Sequence, residues 1–215
     1  NVEKNCQELA SFYKEYGRKA DLLVTPELSM TGYTCADLFF QDSLLQNAKS
    51  SLVNIADATR KTSVLFAVGC PIQYENSLYN CAVWIFAGKI LAIIPKTNIS
   101  SSFEKNETRY FVSGKNLPNN SFIQIENYSE KIPFGTDILI AHLDTKIGTE
   151  FSQDLFGIEN PSSELAVNGA LIIANLSASN EIVGRVNSRK LQVQSQSEKL
   201  CCAYLYANAN KGEST

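Results

Sequence analysis

Three polar residues directly follow apolar, strand-like runs of the sequence. Glu27 follows LLVTP, Lys96 follows ILAIIP, and Ser152 follows IGTEF. In α/β proteins, residues just beyond strand ends commonly carry the chemistry. Together these residue types are suited to cleaving an amide. The carboxylate can take the proton of a small nucleophile, and the ammonium can stabilise the oxyanion. The spacing therefore predicts an amide-cleaving site, although a helix cap at Glu27 and a solvated strand end at Lys96 are structural alternatives.

Two hydrophobic periodicities alternate along the chain and predict the elements that position these residues. The stretch between residues 98 and 120 is polar and is predicted to be a long loop of functional importance. No repeat or linker divides the chain, so we expect one α/β domain over residues 1–215. Helices are predicted over residues 2–19, 44–61, 162–168 and 186–199, and strands over 21–25, 63–69, 78–86, 89–94, 137–143, 145–151, 170–176 and 201–207.

Composition excludes several classes of protein. A formal net charge of -3 disfavours a nucleic-acid partner. No apolar run approaches the roughly 18–20 residues of a membrane span, and no His/Cys cluster has the spacing of a metal site. Four of the six cysteines, Cys70, Cys81, Cys201 and Cys202, lie in apolar runs. The cysteines are predicted to be buried free thiols, which indicates a reducing, cytoplasmic compartment.

Several motifs resemble those of one enzyme family. PELSMTGY, which begins at Pro26, resembles the PELxLTGY signature of the nitrilase (carbon–nitrogen hydrolase) superfamily. LYNCA from Leu78, GKIL from Gly88 and PKT from Pro95 are similar to the hairpin that leads to that family's lysine. ANLSASNE from Ala174, with Arg185 downstream and GEST at residues 212–215, resembles the glutamine-hydrolysing domain of glutamine-dependent NAD synthetases. The resemblance covers nearly the whole chain in the expected order.

The resemblance implies a four-layer αββα sandwich and a Glu–Lys–Cys triad. It implies a domain that releases ammonia from glutamine, or a related small amide, for a C-terminal synthetase domain in the same chain. ATP and Mg²⁺ would belong to that second domain and no cofactor to this one, and family members assemble as homo-oligomers. The family's first strand would precede Asn1 and its last motif would continue beyond Thr215, so we expect a longer parent chain.

The resemblance also assigns roles to individual residues. Glu27 takes the position of the general base, Lys96 that of the transition-state lysine, and Glu107, in the stretch 104–111 that resembles EFYExRxF, that of the second glutamate. Residues that match substrate contacts are Tyr33, Gln153, Ser179 and Arg185.

The nucleophile position departs from the family pattern. Where the family has EICED, residues 150–154 are EFSQD, so Ser152 replaces cysteine and Gln153 replaces a glutamate. A thiol is already partly ionised near neutral pH, whereas a serine hydroxyl depends on its base. Gln153 also loses the charge of a residue that helps the family to recognise the substrate's ammonium group.

The loop after Lys96 has changed as well. Three tyrosines of the family pattern are replaced by Asn98, Ser102 and Asn106, and a phenylalanine is replaced by Lys105. Three explanations compete for these departures: an engineered cysteine-to-serine change, a divergent amidase that uses serine, and natural loss of glutaminase activity with the fold kept as a scaffold or oligomerisation domain. A stand-alone carbon–nitrogen hydrolase for another small substrate is a further alternative. We expect little or no glutaminase activity.

Overall fold

The computed structural model describes residues 1–102 and 105–209. Its helices are α1 (Val2–Tyr16), α2 (Asp42–Ala58), α3 (Pro161–Val167) and α4 (Arg185–Leu200). Its strands are β1 (Leu22–Val24), β2 (Leu65–Tyr74), β3 (Ser77–Phe86), β4 (Lys89–Pro95), β5 (Ser101–Ser102), β6 (Lys105–Asn106), β7 (Ser121–Ile123), β8 (Ile132–Phe134), β9 (Ile140–His142), β10 (Thr145–Phe151), β11 (Ile172–Leu176) and β12 (Ala203–Ala207).

One sheet of six strands has the order β1-β2-β3-β4-β8-β7. α1 and α2 cover its outer face, and the apolar side chains of α2 recur at helical spacing, so one stripe of the helix is buried. The buried residues of that stripe include Leu45, Ala48, Leu52 and Ile55. Strands β2, β3 and β4 form an antiparallel meander, and Lys96 directly follows its last strand.

The second sheet has the order β12-β11-β10-β9. Strands β10, β11 and β12 are parallel, because α3 and α4 form the crossovers between them, and both helices pack on the outer face of this sheet. The carboxyl ends of the three strands therefore meet at one edge, which Phe151, Leu176 and Ala207 mark. The residues that follow, Ser152 and Ser177 among them, are brought to the same place.

The inner faces of the two sheets pack against each other. Leu65, Ala67 and Trp84 of the first sheet contact Ile147 and Ala174 of the second. The indole N–H of Trp84, which is fully buried, donates to the hydroxyl of Thr149 at 2.9 Å. Helices outside and sheets inside make a four-layer αββα sandwich, which confirms the predicted fold class.

The elements expected from the sequence are present, with three corrections. Strands β7 and β8 were missed, because each has three residues and neither lies within a longer apolar run. Strand β2 continues to Tyr74, beyond the predicted end at Gly69, because it stays paired with β3. Cys201 adopts a left-handed conformation at the end of α4, so β12 starts at Ala203. Cys201 is exposed, and Cys6 and Cys35 are only partly buried, so the prediction of six buried thiols was wrong for these three.

Two other sequence predictions have defined outcomes. All six cysteines are free thiols. The polar stretch contains β5, β6 and two short 3-10 helices, Glu107–Arg109 and Gly114–Asn116. The start of the EFYE-like motif at Glu104 and the GEST motif at 212–215 lie outside the described residues. Among the helices of the described ranges, none has the length and apolar character needed to cross a membrane.

Candidate active site

Glu27 lies where the ends of the two sheets meet. Its backbone N–H donates to the carbonyl oxygen of Ser177, which follows β11, at 3.3 Å. The segment that carries Glu27 also wraps tightly around Gly69 of β2. A Cβ at position 69 would lie 2.4 Å from both the Leu28 nitrogen and the Pro26 oxygen, so only glycine allows this approach.

Lys96 joins two carboxylates in a buried cluster. Its Nζ lies 2.7 Å from Oε1 of Glu27 and 2.8 Å from Oε1 of Glu107. The three residues are 1%, 1% and 4% exposed. Burial favours the neutral amine, but the charges of Glu27 and Glu107 and their hydrogen bonds outweigh it and raise the pKa of Lys96. The lysine is therefore held as an ammonium ion.

Other groups fix the orientation of the two glutamates. The amide of Asn80 donates to Oε1 of Glu27 at 2.6 Å. The hydroxyl of Tyr33 donates to Oε1 of Glu107, and the Ser100 backbone N–H donates to Oε2 at 2.8 Å. Burial opposes ionisation of Glu107, yet Lys96 and these donors lower its pKa. Burial first, and then the two carboxylates, raise the pKa of Tyr33, so its phenol stays a donor.

Ser152 begins the 3-10 helix Ser152–Phe156, immediately after β10. It is fully buried, and its φ of +22° is rare for a residue with a side chain. Its Oγ lies 3.2 Å from the hydroxyl oxygens of both Ser177 and Ser179. Strain of this kind persists only where the surroundings hold the backbone in place, and it is common at functional positions.

Ser152, Ser177, Ser179 and Tyr206 form a hydroxyl cluster. Ser177, Ser179 and Tyr206 lie 2.6–2.9 Å from one another. With the two contacts of Ser152, the cluster has five close oxygen–oxygen pairs but only four hydroxyl protons. At least one pair therefore lacks a hydrogen bond, and the hydroxyls can reorient towards a bound acceptor.

The structure thus brings the predicted base, lysine and nucleophile to one place. Ser177 links them, because its carbonyl accepts from the backbone of Glu27 and its hydroxyl donates to Ser152. Lys96 joins two acidic side chains on the base side, whereas the groups that contact Ser152 Oγ are the neutral hydroxyls of Ser177 and Ser179. The arrangement suits attack by a hydroxyl or thiol on a small amide.

Sequence comparison assigns the family. Residues 1–210 match the sequence model described as Carbon-nitrogen hydrolase. The chain belongs to the carbon–nitrogen hydrolase family. A glutamine-dependent NAD(+) synthetase from Mycobacterium bovis is 35% identical over 199 residues, which cover 91% of this chain and 29% of that protein. The chain therefore spans less than a third of this curated relative.

Solved structures support the same family. A glutamine-dependent NAD(+) synthetase from Cytophaga hutchinsonii superposes with a TM-score of 0.79 at 28% identity, over 97% of this chain and 33% of that one. An amidase from Nesterenkonia sp. superposes with a TM-score of 0.73 at 18% identity, over 97% of this chain and 70% of that one. The second likeness concerns the fold alone.

Two predicted substrate residues of this carbon–nitrogen hydrolase, Gln153 and Arg185, lie on or against the 3-10 helix that follows β10. The guanidinium of Arg185 lies 5.6 Å from the centre of the Phe156 ring, at the start of α4. Gln153 is half-buried, and its side chain makes no hydrogen bond to any residue that the structure describes. The predicted contact Ser179 belongs to the cluster itself, and Tyr33 lies on the opposite side with Glu107.

Sequence reasoning missed a second arginine of α4. Arg189, one helical turn after Arg185, is buried, donates to Glu181 Oε1 at 2.5 Å and lies 5.7 Å from the centre of the Tyr206 ring. Its spacing of four residues from Arg185 could have predicted that the two arginines lie on the same face of the helix. No role was predicted either for Asn80, Asp154 or Tyr206. Within the described ranges, no group of three or more metal-binding side chains is suitably arranged to hold a metal ion.

Proposed function

We propose that this carbon–nitrogen hydrolase is the amide-hydrolysing part of a glutamine-dependent NAD synthetase, with glutamine or a related small amide as its substrate. One observation carries the proposal: the buried Glu27–Lys96–Glu107 cluster lies beside a nucleophile-bearing turn, and Ser177 joins the two. The relatives named as NAD synthetases support the choice of glutamine over other amides.

The geometry supports a two-stage hydrolysis. Glu27 takes the hydroxyl proton of Ser152 as the oxygen attacks the amide carbon, and the Lys96 ammonium stabilises the oxyanion. The C–N bond then breaks, the protonated Glu27 returns the proton to the leaving nitrogen, and ammonia departs. Water activated by Glu27 next hydrolyses the acyl ester. Glu107 supports both stages, because its carboxylate keeps Lys96 charged.

Two features reduce this activity. A serine hydroxyl has to be deprotonated by Glu27, whereas a thiol is partly ionised already. Ser152 is also 0% exposed and engaged with two neighbouring hydroxyls, so neighbouring groups have to move before a substrate can reach its Oγ. We therefore propose that glutaminase activity is greatly reduced or lost in this chain.

The proposed function includes a partner that lies outside this chain. A synthetase domain in the parent protein would use the released ammonia, and ATP and Mg²⁺ would be bound there. The proposal of a second domain is supported by the length of the M. bovis relative, because the region that matches this chain is only 29% of that protein. A cytoplasmic location and assembly as a homo-oligomer remain parts of the proposal, and the free cysteines are consistent with the former.

The decisive experiment measures ammonia released from glutamine and from a panel of small amides. We expect at most slow release by the chain itself, none by Ser152→Ala, and faster release by Ser152→Cys. Efficient turnover by the unmodified chain that Ser152→Ala abolishes would contradict the loss of activity and favour a serine amidase. Turnover of another amide in preference to glutamine would favour the divergent stand-alone hydrolase.

A second candidate is an inactive scaffold that has kept the fold for assembly. Four apolar side chains on and before α4 are well exposed: Ile182, Val183, Val186 and Leu191. Exposed apolar groups so close together are typical of interaction surfaces. This candidate predicts no ammonia release even from Ser152→Cys. It also predicts that light scattering gives a mass above that of the 23.7 kDa monomer, and that Val183→Glu lowers this mass.

A further inference from the structure

Asp154 lies between the turn that carries Ser152 and the loop that follows Lys96. Its Oδ2 accepts the backbone N–H of Phe151 at 2.8 Å. Its Oδ1 accepts the side-chain amide of Asn98 at 2.6 Å. The carboxyl is buried, so water does not compete for these bonds. One side chain thus ties the residue before the nucleophile to the loop after the lysine.

The hydrogen bonds of Asp154 are important because the backbone of Ser152 has an unfavourable conformation. At a φ of +22°, the residue is held in place by its surroundings and not by its own preference. The bond from the Phe151 N–H to Asp154 fixes the Glu150–Phe151 peptide, one residue before the strained position. The hydroxyl of Thr97 lies 3.4 Å from Oδ1 and adds a second donor from the lysine side.

Asn98 is the donor that links the loop after Lys96 to Asp154. An asparagine amide is a short, directional donor, and at 2.6 Å it approaches the carboxylate closely. The loop after Lys96 therefore contributes a side-chain hydrogen bond to the nucleophile turn.

Among the residues that the structure describes, the charged groups that face Asp154 are the carboxylate of Glu150 from β10 and the ammonium of Lys96 after β4. Burial is the strongest influence and, with Glu150, raises the pKa of Asp154 to about 7 against the opposing effects of the Phe151 N–H, Lys96 and Asn98. The carboxyl therefore changes charge near neutral pH, and its protonated form is a weaker acceptor for its three donors.

We propose that Asp154 is a positioning residue whose carboxylate, bonded to Asn98, holds the turn of Ser152 against the loop of Lys96. The catalytic consequence rests on the proposed function, whereas the link itself does not. The proposal therefore has one test without turnover and one with it.

The first test follows NMR signals of the full chain between pH 5.5 and 8.5. We expect the Phe151 backbone amide and the Asn98 side-chain amide to titrate with one shared midpoint, and both titrations to vanish in Asp154→Asn. Asn98→Ala removes a donor to the carboxylate and should raise the midpoint seen at Phe151 by about one unit. Different midpoints for the two amides, or an unchanged midpoint in Asn98→Ala, would overturn the proposal.

Asn160→Ala is the matched control, because the Asn160 amide donates to the Leu155 carbonyl of the same turn at 3.3 Å without contacting Asp154. It should leave the midpoint unchanged. The second test places Asp154→Asn and Asn160→Ala in the Ser152→Cys background. Asp154→Asn should lower kcat about 10- to 100-fold, with a smaller change in KM and a flatter pH profile.

The two tests separate the two hypotheses. If Ser152→Cys releases no ammonia from any amide, the proposed function fails while the shared NMR midpoint still supports the link. If Ser152→Cys is active and Asp154→Asn retains its kcat and pH profile, the positioning role is overturned while the proposed function stands.

Discussion

The backbone N–H of Glu27 donates to the carbonyl oxygen of Ser177 at 3.3 Å. Glu27 lies shortly after β1, an edge strand of the six-stranded sheet, and Ser177 directly follows β11, an inner strand of the four-stranded sheet. This bond therefore fastens the ends of two sheets that otherwise contact each other through side chains. The base and the nucleophile turn of the carbon–nitrogen hydrolase keep their relative position through it, since Ser177 also bonds to Ser152.

Replacing Lys96 with methionine should strongly destabilise the fold. Lys96→Met leaves the carboxylates of Glu27 and Glu107 buried without their shared cation, and breaking a buried ion pair in this way costs about 3–5 kcal/mol. Urea unfolding measures the loss. The double variant Lys96→Met/Glu107→Gln removes one of the two charges and should regain at least about 1 kcal/mol. A loss below about 1 kcal/mol in the single variant would show that the cluster is not buried as described.

A methyl group at position 69 should displace Glu27. Gly69→Ala places a Cβ 2.4 Å from two backbone atoms of the Pro26–Leu28 segment, so the segment has to move, at a cost of about 2–3 kcal/mol. Gly157→Ala is the control, because its nearest new contact is 3.4 Å and its φ is -76°. The control should stay within about 0.5 kcal/mol in urea unfolding. Equal effects of the two changes would argue against the close approach at Gly69.

The stability of the protein should depend on the ionisation of Asp154. Its pKa rises from 3.8 to about 7 on folding, so the folded state holds this proton more tightly than the unfolded state. Stability is then greatest below the unfolded pKa and decreases as pH rises from about 4 to about 7. Between pH 5 and 8 this group alone should remove about 2–3 kcal/mol from the free energy of unfolding.

Urea unfolding at several pH values checks this prediction against Asp154→Asn. The variant should show a smaller loss of stability between pH 5 and 8 than the unmodified chain. Parallel pH dependences in the two proteins would mean that Asp154 ionises with an ordinary pKa.

Two tyrosines of β12 should differ in their contribution to stability. The hydroxyl of Tyr204 donates to the buried carboxylate of Glu150, whereas Tyr206 donates and accepts among neutral hydroxyls. Bonds to charged groups contribute about 1.5–3 kcal/mol and neutral bonds about 1 kcal/mol. Thermal and urea unfolding of Tyr204→Phe and Tyr206→Phe should therefore rank Tyr204→Phe as the more damaging change. The reverse order would contradict the assignment of the Tyr204 bond.

The sequence was sufficient to predict the strand ends that carry chemistry, since Glu27, Lys96 and Ser152 each follow an apolar run that is a strand or leads from one. It was not sufficient to predict their partners. Counting along the β3–β4 hairpin from the pair Phe86–Lys89 would place Asn80 opposite Pro95. A bulge between Trp84 and Ile85 shifts the register by one, so Asn80 lies opposite Lys96, and their backbones bond at 2.8 Å.

The hydroxyl cluster was hidden for a different reason. Ser177 directly follows β11 and Tyr206 lies on the neighbouring parallel strand β12, and only the register of β11 against β12 brings their hydroxyls to 2.6 Å. Asp154 was visible as part of the EICED-like motif, but its bond to Asn98 depends on a loop 56 residues away. Contacts between distant segments are decided by packing, which local sequence patterns do not encode.

The hydrogen bond between Trp84 and Thr149 gives the protein an internal optical reporter. Trp84 is the chain's single tryptophan, and it lies fully buried between the two sheets. Its partner, Thr149, is three residues before the nucleophile position. Emission from this indole therefore records the junction of the sheets without any added label, and a red shift on opening would reveal water entering the layer on which the Ser152 turn is built.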